Sequence, residues 1–91
     1  LYVESNDSEV WLHTASGEAY RTKTRISQWE SQLDRRFLRI HRSYIVNMLQ
    51  IEELSPTGLR TFSGRELPVS RLLYPQLQKD YMKLLFAQRE E

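Results

Sequence analysis

Over the first 70 positions, hydrophobic and polar residues alternate in short blocks, the pattern of brief strands joined by turns. Residues 1–3 are apolar, and Glu4-Ser5-Asn6-Asp7-Ser8 reads as a polar turn. Residues 9–14 are rich in strand formers. Ala15-Ser16-Gly17-Glu18 then turns the chain into an antiparallel partner over 19–24, with Tyr20, Thr22 and Thr24 on one face and Arg21 and Lys23 on the other. There the period changes. Ile26, Trp29 and Leu33 are spaced three and four apart, which predicts a helix of two to three turns. Thr24 or Ser27 is its expected cap, and Glu30 would close a capping box from Ser27.

Strand patterning resumes at 37–40, breaks at His41-Arg42-Ser43 and continues through 44–49, Ile51 and Leu54. Ser55-Pro56-Thr57-Gly58 predicts a turn, 59–62 a strand and 63–66 another turn. Residues 67–69 contain Pro68, which cannot donate to a ladder, so a short or edge strand is expected. Ser70 is a good N-cap. Pro75 argues for a turn over 71–74 and a helix starting afresh at the proline, with Leu77, Tyr81, Leu84 and Leu85 as its apolar face. Trp11, Trp29, Tyr44 and Phe62 are expected as core anchors.

Composition narrows the function. The chain has 91 residues, enough for one domain with one modest core. Without cysteine there is no disulfide, no CxxC zinc site and no thiol nucleophile. With two histidines, a metal site would need carboxylates, and Asp7, Glu9 and His13 are better read as surface residues, so no metal and no cofactor are expected. Three scattered glycines leave no phosphate loop. No apolar run approaches the length of a membrane span, and none resembles a signal peptide. The first residue is Leu1, not Met, and a domain excised from a longer chain is expected.

The net charge of +1 hides a strong asymmetry. Residues 1–20 carry four acidic and no basic side chains, whereas residues 21–43 carry seven basic and two acidic. Arg35, Arg36, Arg39, His41 and Arg42 fall within ten residues, and such clustering can mark a polyanion-binding face. If 37–40 is a strand, Arg39 and His41 share one side, and His41-Arg42-Ser43 sits at a loop tip. An arginine fork there suits guanine O6 and N7 or a phosphate, and His and Ser add short-range donors. Ser70-Arg71 is a second candidate, because the exposed amides of a capped helix start attract phosphate. Asn6 and Ser8 in the first turn are a third. Two other readings stay open on the residues alone. One is a small β module that binds a protein or peptide by an exposed edge. The other is a hydrolase built on His41 and Ser43, although no nearby acid would orient that histidine.

Phe37-Leu38-Arg39-Ile40-His41-Arg42-Ser43-Tyr44-Ile45-Val46-Asn47, followed by Ile51, resembles the central signature of LytTR-type DNA-binding domains, F-x-R-x-H-R-S-[YF]-[LIV]-V-N. Gly64-Arg65-Glu66-Leu67-Pro68-Val69-Ser70-Arg71 is similar to that family's second block, G-x-x-[LIY]-P-V-S-R, and the opening Leu1-Tyr2-Val3-Glu4-Ser5 to its first strand. The resemblance implies a mostly β fold of short antiparallel sheets with short helices and a C-terminal helix. It also implies a non-enzymatic, sequence-specific binder of double-stranded DNA, with loops inserted into successive major grooves. Such a domain is typically the output domain of a bacterial transcription regulator in a two-component system. It implies a cytoplasmic protein with an upstream receiver or sensory domain, no small-molecule substrate, and possible homodimers on DNA. Carried over by position, the DNA-facing residues are Asn6 and Ser8, then His41, Arg42 and Ser43, then Ser70 and Arg71, with Arg65 as a phosphate contact.

Overall fold

The computed structural model describes residues 1–6 and 8–90, with side chains through Ala87. Strands β1 (Tyr2–Asn6), β2 (Glu9–His13), β3 (Ala19–Thr22), β4 (Phe37–His41) and β5 (Tyr44–Asn47) form an antiparallel sheet in the order β3-β2-β1-β5-β4. A 3-10 turn, Met48–Gln50, leads into a second antiparallel sheet of β6 (Ile51–Leu54), β7 (Gly58–Thr61) and β8 (Glu66–Pro68). Helix α1 (Ile26–Gln32) links β3 to β4, and α2 (Tyr74–Glu90) closes the chain. The fold is the mostly β arrangement of short antiparallel sheets with a C-terminal helix that the resemblance implies.

The five-stranded sheet carries a core on each face. Alternation along β5 sends Val46, with Tyr44 beside it, toward a core shared with Ile51, Leu59 and Leu67 of the second sheet and with Leu77 and Leu84 of α2. Ile45 points the other way, onto Val3 and Val10, where Ile26, Trp29 and Leu33 of the α1 stripe cover it. Ile40, Ile45, Val46 and Met48 are fully buried, and truncating any one to alanine would forfeit about 2–5 kcal/mol.

Several local expectations are corrected. The predicted turn at 4–8 is mostly strand. Glu4 and Ser5 pair with Trp11 and Val10, and the Glu4 carboxylate finds His13 and Tyr44, so their polarity misled. The N-cap of α1 is Arg25, whose backbone N–H donates to Gln28 Oε1 at 3.2 Å. Glu30 is committed instead to Arg39, at 2.7 Å. Phe62 is not a core anchor but is 67% exposed. Leu59 and Thr61 take the buried positions of β7, and period-two alternation leaves Phe62 outside.

Ser70 starts the C-terminal segment as expected. Its carbonyl accepts from Tyr74 N (3.0 Å) and its hydroxyl from Leu73 N (3.4 Å), so 71–73 form one turn ahead of α2. Pro75 falls within the first turn of α2, where no N–H is needed. No helix among the described residues is long and apolar enough to cross a membrane.

Candidate nucleic-acid interface

The break at His41-Arg42-Ser43 is a two-residue hairpin turn. His41 pairs with Tyr44, and Arg42 and Ser43 form the tip. Arg42 is exposed. A bulge precedes the turn: Arg39 stands opposite Ile45 and His41 opposite Tyr44, so Ile40 is the extra residue. The bulge overturns the expectation that Arg39 and His41 share a side. Arg39 faces α1, while His41 lies against the Tyr44 ring, with centroids 5.8 Å apart.

Arg39 therefore works from behind the tip. Its Nε donates to the His41 carbonyl (2.9 Å), its Nη2 to the Arg42 carbonyl (2.5 Å) and its Nη1 to Glu30 on α1 (2.7 Å). A planar fork meets three acceptors at once, which an ammonium could not do in the same geometry. Ser43 N–H donates to His41 Nδ1 at 3.1 Å. In the neutral ring an accepting Nδ1 leaves the proton on Nε2, so the imidazole offers a donor on its other nitrogen.

Two backbone bonds gather the other candidates around this turn. Ser5 N–H donates to the Ser43 carbonyl at 2.8 Å, which sets the β1–β2 hairpin beside it. Asn6 and Ser8 are exposed at that hairpin's end, and Asp7 between them lies outside the described residues. Glu9 is drawn back along the sheet by Trp11 Nε1 (3.1 Å) and Arg21 (3.7 Å). Ser70 N–H donates to the Ile40 carbonyl at 2.7 Å, which brings the half-buried Ser70 and the exposed Arg71 against the bulge.

Arg65 is not drawn into this cluster. It precedes β8 whereas Ser70 follows it, and its guanidinium lies 5.9 Å from the Tyr2 ring centroid. Tyr2 in turn stacks on His13 at 4.3 Å. The basic central third is likewise split. Arg35 and Arg36 sit at the far end of β4, roughly 16 Å from the tip at strand spacing, and Arg36 is bound to Asp34 at 2.7 Å. Hydrogen bonds from Arg36 hold the Asp34 carboxyl below its usual range. Of the arginines at 35, 36, 39 and 42, Arg42 is the one at the tip. Neither Arg42 nor Arg71 has an ion-pair partner among the described residues.

A polar network backs the sheet beside the site. Glu4 accepts from the Tyr44 hydroxyl (3.1 Å) and meets His13 Nε2 at 2.9 Å. Burial, and then the bond to Glu4, push the Tyr44 phenol up. No cluster of three or more metal-ligating side chains exists among the described residues. Sequence reasoning missed the roles of Arg39 and Glu4. Arg39 was visible only as one more positive charge, and Glu4 only as part of a polar turn.

The family model of the LytTr DNA-binding domain matches residues 1–82. The chain belongs to the LytTR family of DNA-binding domains. Among solved structures it is similar to the LytTr DNA-binding domain of a protein described as a methyl-accepting/DNA response regulator from Bacillus cereus. That match has 27% identity and a TM-score of 0.80, covering 87% of this chain and 77% of the other. No curated protein matches the chain. Both signature blocks of this LytTR domain fall inside the matched span, and the bond from Ser70 to Ile40 joins one block to the other.

Proposed function

We propose that this LytTR domain reads double-stranded DNA in a sequence-specific way, as the output domain of a bacterial transcription regulator. Arg42 and Arg71 are its base readers, each offering a fork that suits guanine O6 and N7 in the major groove. His41, Ser43 and Ser70 make supporting contacts, and Asn6 and Ser8 approach from the neighbouring hairpin. Arg65, set apart from the cluster, suits a phosphate on flanking duplex better than a base. The observation that carries the reading is the convergence of two distant signature blocks, through Ser70 N–H on Ile40 O at 2.7 Å, with an exposed arginine in each. The regulator role rests on family membership and on the response regulator that supplies the similar structure. In that role the domain sits in the cytoplasm behind a receiver or sensory domain of the same chain, and pairs with a second copy on DNA.

Selection of binding sites from random duplexes, followed by electrophoretic titration, tests the reading. One enriched sequence is expected. Arg42→Ala and Arg71→Ala each lose about 1–3 kcal/mol of affinity for it and each relax preference at a separate base pair. Unchanged affinity in both variants at moderate salt would overturn the assignment. An absence of enrichment at any salt would favour a protein- or peptide-binding module instead.

A further inference from the structure

Leu72 is 90% exposed, the most exposed large hydrophobic side chain among the described residues. Its position follows from the turn that carries it. Ser70 receives N–H groups from Leu73 and Tyr74, which curls the chain so that residues 71 and 72 form the outer bend. Leu73 and Tyr74 are half-buried, and Tyr74 packs against the larger core. Arg71 and Leu72 are consecutive on this bend and both exposed, so a guanidinium and an isobutyl group leave the same short stretch of backbone. The Ser70 bond to Ile40 holds this bend against the base of the Arg42 turn.

We infer that Leu72 is a specificity-determining residue that packs on the 5-methyl group of a thymine beside the base read by Arg71. This rests on the DNA-binding reading above and extends it to one more base. The major groove presents the thymine methyl on the same floor as guanine O6 and N7, so a polar fork and an apolar side chain next to each other match adjacent positions there. The minor groove offers no such methyl. A leucine left in water forgoes its burial, and contact with the methyl recovers part of it only when the correct base is present. That condition makes the contact selective rather than merely adhesive.

The test replaces each thymine of the selected site, one at a time, with deoxyuridine, which lacks only the methyl. Wild-type protein should lose about three- to five-fold in affinity at one thymine adjacent to the position that Arg71→Ala relaxes, the scale of one buried methyl. Leu72→Ala should bind the unmodified site more weakly by a similar factor and no longer distinguish thymine from deoxyuridine there. Its exposure means the substitution removes no core contact, and an unchanged urea midpoint verifies that. Two results would overturn the inference while leaving DNA binding intact: no thymine at which wild type discriminates, or discrimination that survives in Leu72→Ala. Failure to select any site overturns the DNA-binding reading itself, and this inference with it.

Discussion

The backbone N–H of Ser70 donates to the carbonyl of Ile40 at 2.7 Å, across thirty positions of sequence. β4 is an edge strand, so carbonyls that do not face β5 are open to another segment, and Ile40, at the bulge, has no pair in β5. Ile40 thereby acts twice: its side chain is wholly buried in the larger core, and its carbonyl receives the segment that carries Arg71.

These two contributions separate by mutation. Ile40→Ala should cost about 2–5 kcal/mol in urea unfolding, through the cavity it leaves. Ser70→Ala keeps the N–H and loses only the hydroxyl bond to Leu73 N, which is long at 3.4 Å. Its cost should be about 0.5–1 kcal/mol, at the low end for a cap. A Ser70→Ala variant as unstable as Ile40→Ala would contradict the backbone bond as the link.

Arg39 is a positioning residue. Arg39→Lys keeps the charge but cannot reach the carbonyls of His41 and Arg42 and the Glu30 carboxylate together. Duplex affinity should fall several-fold, because the turn is held less firmly, while the preferred sequence stays the same. The slope of log affinity against log salt should also stay the same, because no phosphate contact is lost. A slope reduced by about one unit would instead place Arg39 on a phosphate.

Tyr44 links the network to alkaline stability. Its phenol is raised first by burial and then by Glu4, so the folded state holds that proton more tightly than the unfolded chain does. The contribution is fully present below the ordinary tyrosine value of about 10 and is lost as pH rises through the higher folded value. Tyr44→Phe should cost about 1 kcal/mol at neutral pH, for the lost bond to Glu4. It should also soften the fall in stability above pH 10, as measured by thermal unfolding across pH. Tyr2 and Tyr81 are raised as well, mainly by burial, so some alkaline loss should persist.

Much of the fold was legible because it rests on local alternation. The buried run Tyr44-Ile45-Val46, the α1 stripe of Ile26, Trp29 and Leu33, and the Ser70 and Pro75 signals each depend on periodicity or on backbone chemistry within a few residues. What stayed hidden depends on distant partners. The bulge at Ile40 is anchored by a residue in another block. Glu4 and Ser5 join a strand because β2 and β5 flank them. The candidate site was legible as two blocks, by likeness to a family pattern, but their meeting was not. Charge clustering misled in one respect, since adjacency in sequence put Arg35, Arg36, Arg39 and Arg42 together while the strand spreads them along its length and across its faces.

That spreading predicts unequal roles for the arginines on DNA. Arg42 projects from a tip whose backbone is fixed by Arg39, His41 and Ser5, so a base contact has to order its side chain but not the turn beneath it. Arg36 is engaged by Asp34 in bonds as short as 2.7 Å, at the opposite end of β4. Arg36→Ala should therefore leave the selected sequence unchanged and shift affinity less than two-fold, whereas Arg42→Ala should lose about 1–3 kcal/mol and relax one base pair. Arg65→Ala should fall between them, weakening all duplexes alike and lowering the salt slope by about one unit without changing preference. Titrating the three variants against the selected site and a scrambled duplex, at several salt concentrations, distinguishes reader, backbone contact and bystander. Equal losses for Arg36 and Arg42 on both duplexes would mean that the chain binds DNA by diffuse charge, and that the hairpin tip reads nothing.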